Sequence, residues 1–303
     1  MLAPVTCGTG RLAGLIGAGL TVDVVGLDDA IAAYRAAAKR WSDSAMSKKE
    51  HTALVKLEGV IAPGQKGEAD TVVTGLRDAF EDEKTKAVIL RINSPGGSPV
   101  QSSDMHKEIL RLREKYPDIP LYAVVSDICA SGGYYVASAA DEIFVNESSI
   151  VGSIGVLMNG FGFVDAMDEL GIERRLRTAG DHKGILDPFS PVSEFDTRHV
   201  DTLLKDLHKT FIETVKAGRG DRLKGDDETL FNGLFWSGRE SIELGLADAI
   251  GSAGYVAREV VGVEEIVDFT SEEDALSRLV DRLGAAVGAT FARVTGLDGM
   301  QLR

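Results

Sequence analysis

Ala87-Val88-Ile89-Leu90-Arg91-Ile92, with Asn93-Ser94-Pro95-Gly96-Gly97 directly behind it, is an apolar run that ends in a glycine-rich turn. A short apolar run bounded by turn residues reads as a buried strand. The same reading repeats on either side. Upstream, Ala-Leu-Val-Lys-Leu-Glu-Gly-Val-Ile from Ala53 to Ile61 is β-rich, and a helical stretch around Thr71 to Glu81 separates it from the central run. Downstream, a helix from Val100 to Tyr116 stops at Pro117 and is followed by a strand-like Leu-Tyr-Ala-Val-Val from Leu121 to Val125. Another helix begins near Ser131, and short strands fit Glu142 to Val145 and Ile154 to Leu157. Strands alternating with helices at this interval pair in parallel, because a parallel crossover needs about a dozen residues or more. The predicted class is α/β with a parallel sheet.

Beyond Ser193 the pattern is mainly helical. Val200, Leu203, Leu204, Leu207, Phe211 and Val215 recur at spacings of three and four and make one face of a long amphipathic helix. That face packs on the core in the plainer reading and meets another subunit in the alternative. Near the start, Leu12 to Val22 is an apolar run behind Arg11. It is shorter than the roughly 20 residues that span a bilayer, and reads as a buried or dangling arm in preference to a signal-like stretch or a peripheral anchor. Asp28 to Trp41 reads as a short helix, Ser42 to Lys49 as a linker, and Leu276 to Arg303 as a further amphipathic helix.

Composition narrows the partners. The 303 residues carry 33 Lys and Arg against 47 Asp and Glu, a net charge of −14. That balance argues against a nucleic-acid backbone and against an anionic bilayer held by charge alone. Cys7 and Cys129 lie far apart without CxxC spacing, so neither a zinc site nor a disulfide framework is indicated, and Cys129 reads as a buried free thiol.

Three glycine-rich turns follow apolar runs: Asn93 to Gly97, Ala130-Ser131-Gly132-Gly133-Tyr134-Tyr135, and Val151-Gly152-Ser153-Ile154-Gly155-Val156. In open α/β sheets the carboxyl ends of strands collect ligands, and paired glycines leave N–H groups free to face an anion. None of the turns has the GxGxxG spacing of a dinucleotide site or the GxxxxGK[ST] of a P-loop, so no cofactor is expected. Ser131, between a strand and a helix start, is placed as a nucleophile or as a simple helix cap, and the turn alone leaves these even. Of His51, His106, His182, His199 and His208, only His182 lies in a turn of the kind the other site elements occupy.

Taken together, the NSPGG, ASGGYY and GSIGV turns, then Gly180-Asp181-His182-Lys183, Asp187-Pro188-Phe189 and the late Gly238 to Gly251, resemble the signal peptide peptidase A family of serine proteases. The resemblance covers about Thr52 to Tyr255, roughly two thirds of the chain. It implies a ClpP/crotonase-like repeated β-β-α spiral with a helical C-terminal part. It also implies a peptidase domain over 51–260, between an N-terminal arm and linker over 1–50 and a tail over 261–303. By the same resemblance Ser131 matches the nucleophile and Lys183, 52 residues on, the general base. Ser153 matches the serine that orients the lysine, and the N–H groups of Gly97 and Gly132 match the oxyanion hole. One departure is His182, where family members often carry tyrosine or another aromatic residue.

The implied activity is hydrolysis of signal-peptide remnants and other short, unfolded, hydrophobic peptides. It is implied to be carried out by a homo-oligomer associated with the bacterial inner membrane, with no metal and no cofactor. A free lysine titrates at about 10.4, whereas catalytic lysines work desolvated at roughly 7 to 8. The reading therefore asks for an apolar pocket around Lys183, with Asp181 and Asp187 turned away. Two rival functions are a catalytically silent ClpP-like scaffold in membrane protein quality control and a crotonase-like acyl-CoA enzyme. A Ser-His-Asp site built on His182 is a weaker rival among hydrolases.

Overall fold

A computed structural model describes residues 49–271. The expected anchor run Leu12 to Val22, the helix Asp28 to Trp41, all of the linker but Lys49, and the helix Leu276 to Arg303 lie outside the described residues.

The centre is a sheet whose strands β1 (His51–Glu58), β2 (Thr85–Ser94) and β3 (Leu121–Ala130) pair side by side in parallel. Helix α1 (Ala69–Glu81) makes the first crossover and α2 (Pro99–Lys115) the second. In β1 and β2 most residues are buried, including runs of successive ones, the pattern of a sheet covered on both faces. The buried Val72, Val73, Leu76, Ala79 and Phe80 of α1 follow the helical repeat. Helix α2 starts where it does because Ser98 caps it, accepting from the Gln101 N–H, and Pro99 takes the first helical position. On one face of the sheet Leu54, Ile89, Val124 and Phe144 stack across four strands against Val256 and Ala257.

Strand β3 then forks. Its residues 122–124 pair with β4 (Glu142–Val145), whereas 128–130 pair with β5 (Ile150–Gly152). Between the two lies a bulge, Ile92 facing Val125 while Ser94 faces Cys129. The Asn93 side chain bridges it, donating to Asp127 at 2.8 Å and accepting from the Ile128 N–H at 3.2 Å. Helix α3 (Gly132–Ala137) leaves directly from the end of β3, and Cys129 is a buried free thiol.

The second half differs from expectation in three places. The strand expected at Ile154 to Leu157 is instead β5, at 150–152. Gly152 (φ 113°) and Ser153 (φ 51°) turn the backbone out of the ladder before the apolar residues arrive. The region beyond Ser193 is not only helical. After α4 (Val164–Glu169), α5 (Glu194–Arg219), α6 (Asp227–Leu230) and a 3₁₀ turn between the last two come β6 (Phe235–Ser237), α7 (Gly238–Glu243), β7 (Ala249–Ile250), α8 (Ala253–Tyr255) and β8 (Ile266–Asp268). Strand β6 adds antiparallel to β5, β7 adds to β4, and β8 adds to the far side of β1, giving the order β6-β5-β3-β2-β1-β8 with β4 and β7 branching from β3. Residues placed with the C-terminal tail on sequence therefore belong to the sheet. Thr52 Oγ1 donates to Val263 O and the Phe269 N–H to Leu54 O, both at 2.8 Å.

Helix α5 carries the predicted apolar face, but only its C-terminal half packs. Phe211 and Val215 are buried while Leu203 is exposed. The buried end is locked by Arg219, whose guanidinium donates to Gly245 O and forms a paired contact with Asp248 at 2.7 and 2.8 Å. Asp248 also accepts from the Ile143 N–H at 2.7 Å, which ties α5 to β4.

Candidate active site

Because β2, β3 and β5 are neighbours in parallel, the three glycine-rich turns at their carboxyl ends meet along one edge of the sheet. Ser131 sits at the corner between β3 and α3 with φ 51° and ψ −122°, a conformation that L-residues rarely adopt. Its own N–H donates to Gly152 O at 2.8 Å, and its carbonyl accepts from the Tyr135 N–H at 2.9 Å. Its side chain makes no capping bond, so the helix-cap reading of Ser131 is set aside. A half-buried hydroxyl on a strained strand-to-helix corner, freed from capping, is chemically able to act as a nucleophile where a base is supplied.

The NSPGG turn is held against this corner by the backbone. Ser94 Oγ donates to Gly59 O at 2.7 Å and accepts from the Gly96 N–H at 3.1 Å. Gly96 O accepts from the Ile61 N–H, and Ile61 O from the Ser98 N–H. Gly97, at φ 151°, has no room for a side chain, since a Cβ there would stand 2.2 Å from Ile61 O. A Cβ on Gly96 would meet Gly132 N at 2.5 Å, and one on Gly132 would meet Ser102 Oγ at 2.4 Å and Gly97 N at 3.2 Å. The two turns thus pack backbone to backbone. Among the hydrogen bonds of the described residues, the N–H groups of Gly97 and Gly132 donate to no protein acceptor. Two adjacent unengaged amides beside a serine at a helix start are suited to a developing oxyanion.

Ser153 lies in the turn after β5, half-buried, with its N–H donating to Leu234 O at 2.7 Å. Gly152 before it is glycine because a Cβ would press into the Trp236 ring at 2.8 Å. His208 on α5 reaches the same turn, its Nε2 donating to Ile154 O at 3.1 Å.

Lys183 occupies a turn at 181–186 and is exposed, so the described residues of one chain do not supply the apolar enclosure that a lysine base requires. No ion pair joins it to Asp181 or Asp187 among the described residues. Asp187 instead accepts from Ser190 Oγ at 2.7 Å and pairs with Arg174 at 3.2 Å. The Ser190 hydroxyl first, then Arg174, hold that carboxyl below the ordinary range. No hydrogen bond joins Ser131 to a histidine among the described residues. His182 stacks on Phe195 with ring centroids 4.0 Å apart.

Several supporting residues escaped the sequence reading. Ser102 backs Gly132, and Trp236 and Leu234 hold the Ser153 turn. His106, buried on α2, packs edge-on against Tyr135 of α3 at 5.3 Å, and its Nε2 has no hydrogen-bond partner. The apolar neighbours of Trp236 were the one legible signal. Ser102 and His106 look like any polar helix residue until α3 is laid against them.

The profile of peptidase family S49 matches residues 113–264. A Brucella abortus protein named Na(+)/H(+) antiporter NhaA is 41% identical over 214 residues, which cover 69% of this chain and 29% of that protein. A Methanocaldococcus jannaschii relative that carries the name of a protease is 30% identical over 247 residues, 80% of this chain and 78% of that protein. The chloroplastic serine protease SPPA of Arabidopsis thaliana is 27% identical over 297 residues, 88% of this chain and 42% of that protein. The chain thus spans less than a third of the Brucella protein and most of the archaeal one.

Proposed function

The chain belongs to peptidase family S49, and on that premise we propose that it is a serine endopeptidase working through a Ser131–Lys183 dyad on signal-peptide remnants and other short, unfolded, hydrophobic peptides. The observation that carries the reading is the corner at Ser131, where a hydroxyl released from capping stands beside the unengaged N–H groups of Gly97 and Gly132. The proposal includes a ClpP/crotonase-like spiral for the fold and a peptidase domain flanked by the segments at either end of the chain.

In this mechanism the neutral amine of Lys183, oriented by the Ser153 hydroxyl, takes the proton from Ser131. The alkoxide oxygen attacks the peptide carbonyl, and the oxyanion is held by the two glycine amides. The ammonium of Lys183 returns the proton to the departing amine, and the base then activates a water that releases the acyl group. Each oxyanion donor of this kind lowers a barrier by about 3 to 4 kcal/mol.

The amine works as a base only when shielded from water, and a second copy of the chain is the proposed source of that shielding. Its support is the set of large apolar side chains left open between 157 and 203: Leu157 and Phe161 are 78% and 83% exposed, and Leu170, Val192 and Leu203 are exposed as well. Large apolar side chains left in water favour burial against a partner. No helix among the described residues is long and apolar enough to cross a membrane. Association with the bacterial inner membrane is carried into the proposal by the family resemblance.

The test is hydrolysis of a fluorogenic leader-type peptide from pH 6 to 10 by the full chain, Ser131→Ala and Lys183→Ala. Activity rising with pH and lost in both variants is the expected result. Turnover surviving in Lys183→Ala overturns the dyad. Absence of turnover in the unaltered chain moves the assignment to a silent scaffold, or, if a CoA thioester binds, to a crotonase-like enzyme.

A further inference from the structure

We infer that His182 is a positioning residue: its imidazole, stacked on Phe195, fixes the turn that carries Lys183 to the first turn of helix α5. The inference rests on the Ser131–Lys183 reading and concerns how one chain holds its base.

The turn has few internal anchors. Its backbone bonds are short-range, the Lys183 N–H to Gly180 O at 3.2 Å and the Ile185 N–H to His182 O at 3.1 Å. Gly180 enters it at φ 102° and Leu186 leaves it at φ 62°. At its far end Asp187 is tied to Arg174 and Ser190. Nearest the lysine, the tie is the ring of His182, which lies 4.0 Å from that of Phe195 with 13° between their planes. Phe195 in turn is parallel to His199, one helical turn on, at 6.1 Å and 5°. The other ring pairs of the described residues lie at 5.1 Å or more, so the His182–Phe195 contact is the closest of them.

Phe195 is 44% exposed and lies on the half of α5 that does not pack on the core, so what holds it is its helix. Ser193 caps α5 by accepting from the Asp196 N–H at 3.0 Å, and Phe211, Val215 and Arg219 bury the helix's other end. A continuous path therefore runs from the core through α5 and Phe195 to His182 and so to the backbone of Lys183. A lysine side chain has four rotatable carbons, and fixing its backbone removes freedom that would otherwise be lost on each approach to the serine.

The ring does this work, not its charge. His182 has Asp181 and Lys183 beside it in its own turn. The first two turns of α5 carry Asp196, His199 and the Glu194–Arg198 pair at 3.2 Å. With both signs on each side, a neutral ring of similar size serves the same purpose.

The experiment compares the full chain with His182→Ala, His182→Phe, Phe195→Ala, the double alanine variant and Lys183→Ala. Peptide hydrolysis is followed from pH 6 to 10, with a melting curve for each. His182→Ala is expected to lower kcat about tenfold with KM within about twofold. Phe195→Ala should match it, the double variant should be no worse than either, and His182→Phe should return kcat to within about twofold of the unaltered chain. Unchanged kcat in His182→Ala, no recovery in His182→Phe, or multiplicative losses in the double variant, overturn the inference. Loss of activity in Lys183→Ala with none in His182→Ala overturns this inference alone, whereas retained activity in Lys183→Ala overturns the dyad beneath it.

Discussion

Gly97 and Gly132 come from different turns, yet a Cβ on Gly132 would stand 3.2 Å from the amide nitrogen of Gly97. Two backbone segments this close leave no space for side chains, and they bring both unengaged N–H groups beside the same serine. The two glycines are nevertheless not equally replaceable. A methyl at 97 meets the backbone carbonyl of Ile61 at 2.2 Å, whereas one at 132 meets the hydroxyl of Ser102 at 2.4 Å, which can rotate or be removed. Gly97→Ala should lower kcat by about 100-fold or more and destabilise the fold by about 2 kcal/mol. Gly132→Ala should be partly rescued by Ser102→Gly. Peptide turnover and urea unfolding of the three variants check both expectations.

At Ser131 the sign of a glycine substitution inverts. Glycine in place of alanine ordinarily weakens a folded protein by about 0.5–1 kcal/mol. Here φ is 51° and ψ −122°, and only glycine adopts that conformation without strain. Ser131→Gly should therefore be more stable than Ser131→Ala by about 1 kcal/mol, with both inactive, as paired denaturant curves would show.

His106 makes stability depend on pH. Burial, with Lys107 and Arg113 adding to it, pulls the imidazole down to about 4, and among the described residues the ring packed on it is that of Tyr135. An unfolded histidine takes up its proton at about 6.5. Between those values the unfolded chain binds the extra proton, so the stability His106 contributes is intact above about pH 6.5 and is lost as pH falls toward 4. The loss should reach about 3 kcal/mol. His106→Phe keeps the edge-on contact with Tyr135 and should flatten this part of the pH dependence in urea midpoints taken at pH 7.5 and 5.

The Arg219–Asp248 pair is a fourth test. The Arg219 side chain is wholly buried. Burial alone would raise the Asp248 carboxyl, yet Arg219 and the Ile143 N–H more than offset it and hold the group low. Removing one partner of a buried pair costs about 3–5 kcal/mol. Asp248→Ala should fall in that range, while Asp221→Ala, on the exposed 3₁₀ turn nearby in sequence, should change stability little. Thermal melting separates the two.

What was legible in the sequence was local. Strands β1 to β3 and helices α1 and α2 declare themselves through periodicity and a stop at Pro117, because these signals act within a few residues. The Ser131, Gly97 and Gly152 turns were legible for the same reason. Strands β6, β7 and β8 were not, since two or three residues carry no period and pair only because β5, β4 and β1 offer open edges. The strand expected at Ile154 to Leu157 failed because apolar composition does not register a reversal of φ at Ser153. The surroundings of Lys183 were out of reach too, since desolvation belongs to whatever packs on a residue and not to its neighbours in sequence.

The pairing of β1 with β8 also bears on how the polypeptide is made. Thr52 bonds to Val263, 211 residues further along. A ribosome adding about 5–20 residues per second delivers that partner about 10 to 40 seconds after β1 has been synthesised. Through that interval β1 has one edge without its strand, a waiting template for any other extended chain. A translational pause before Val263 lengthens the time for which that edge stands open.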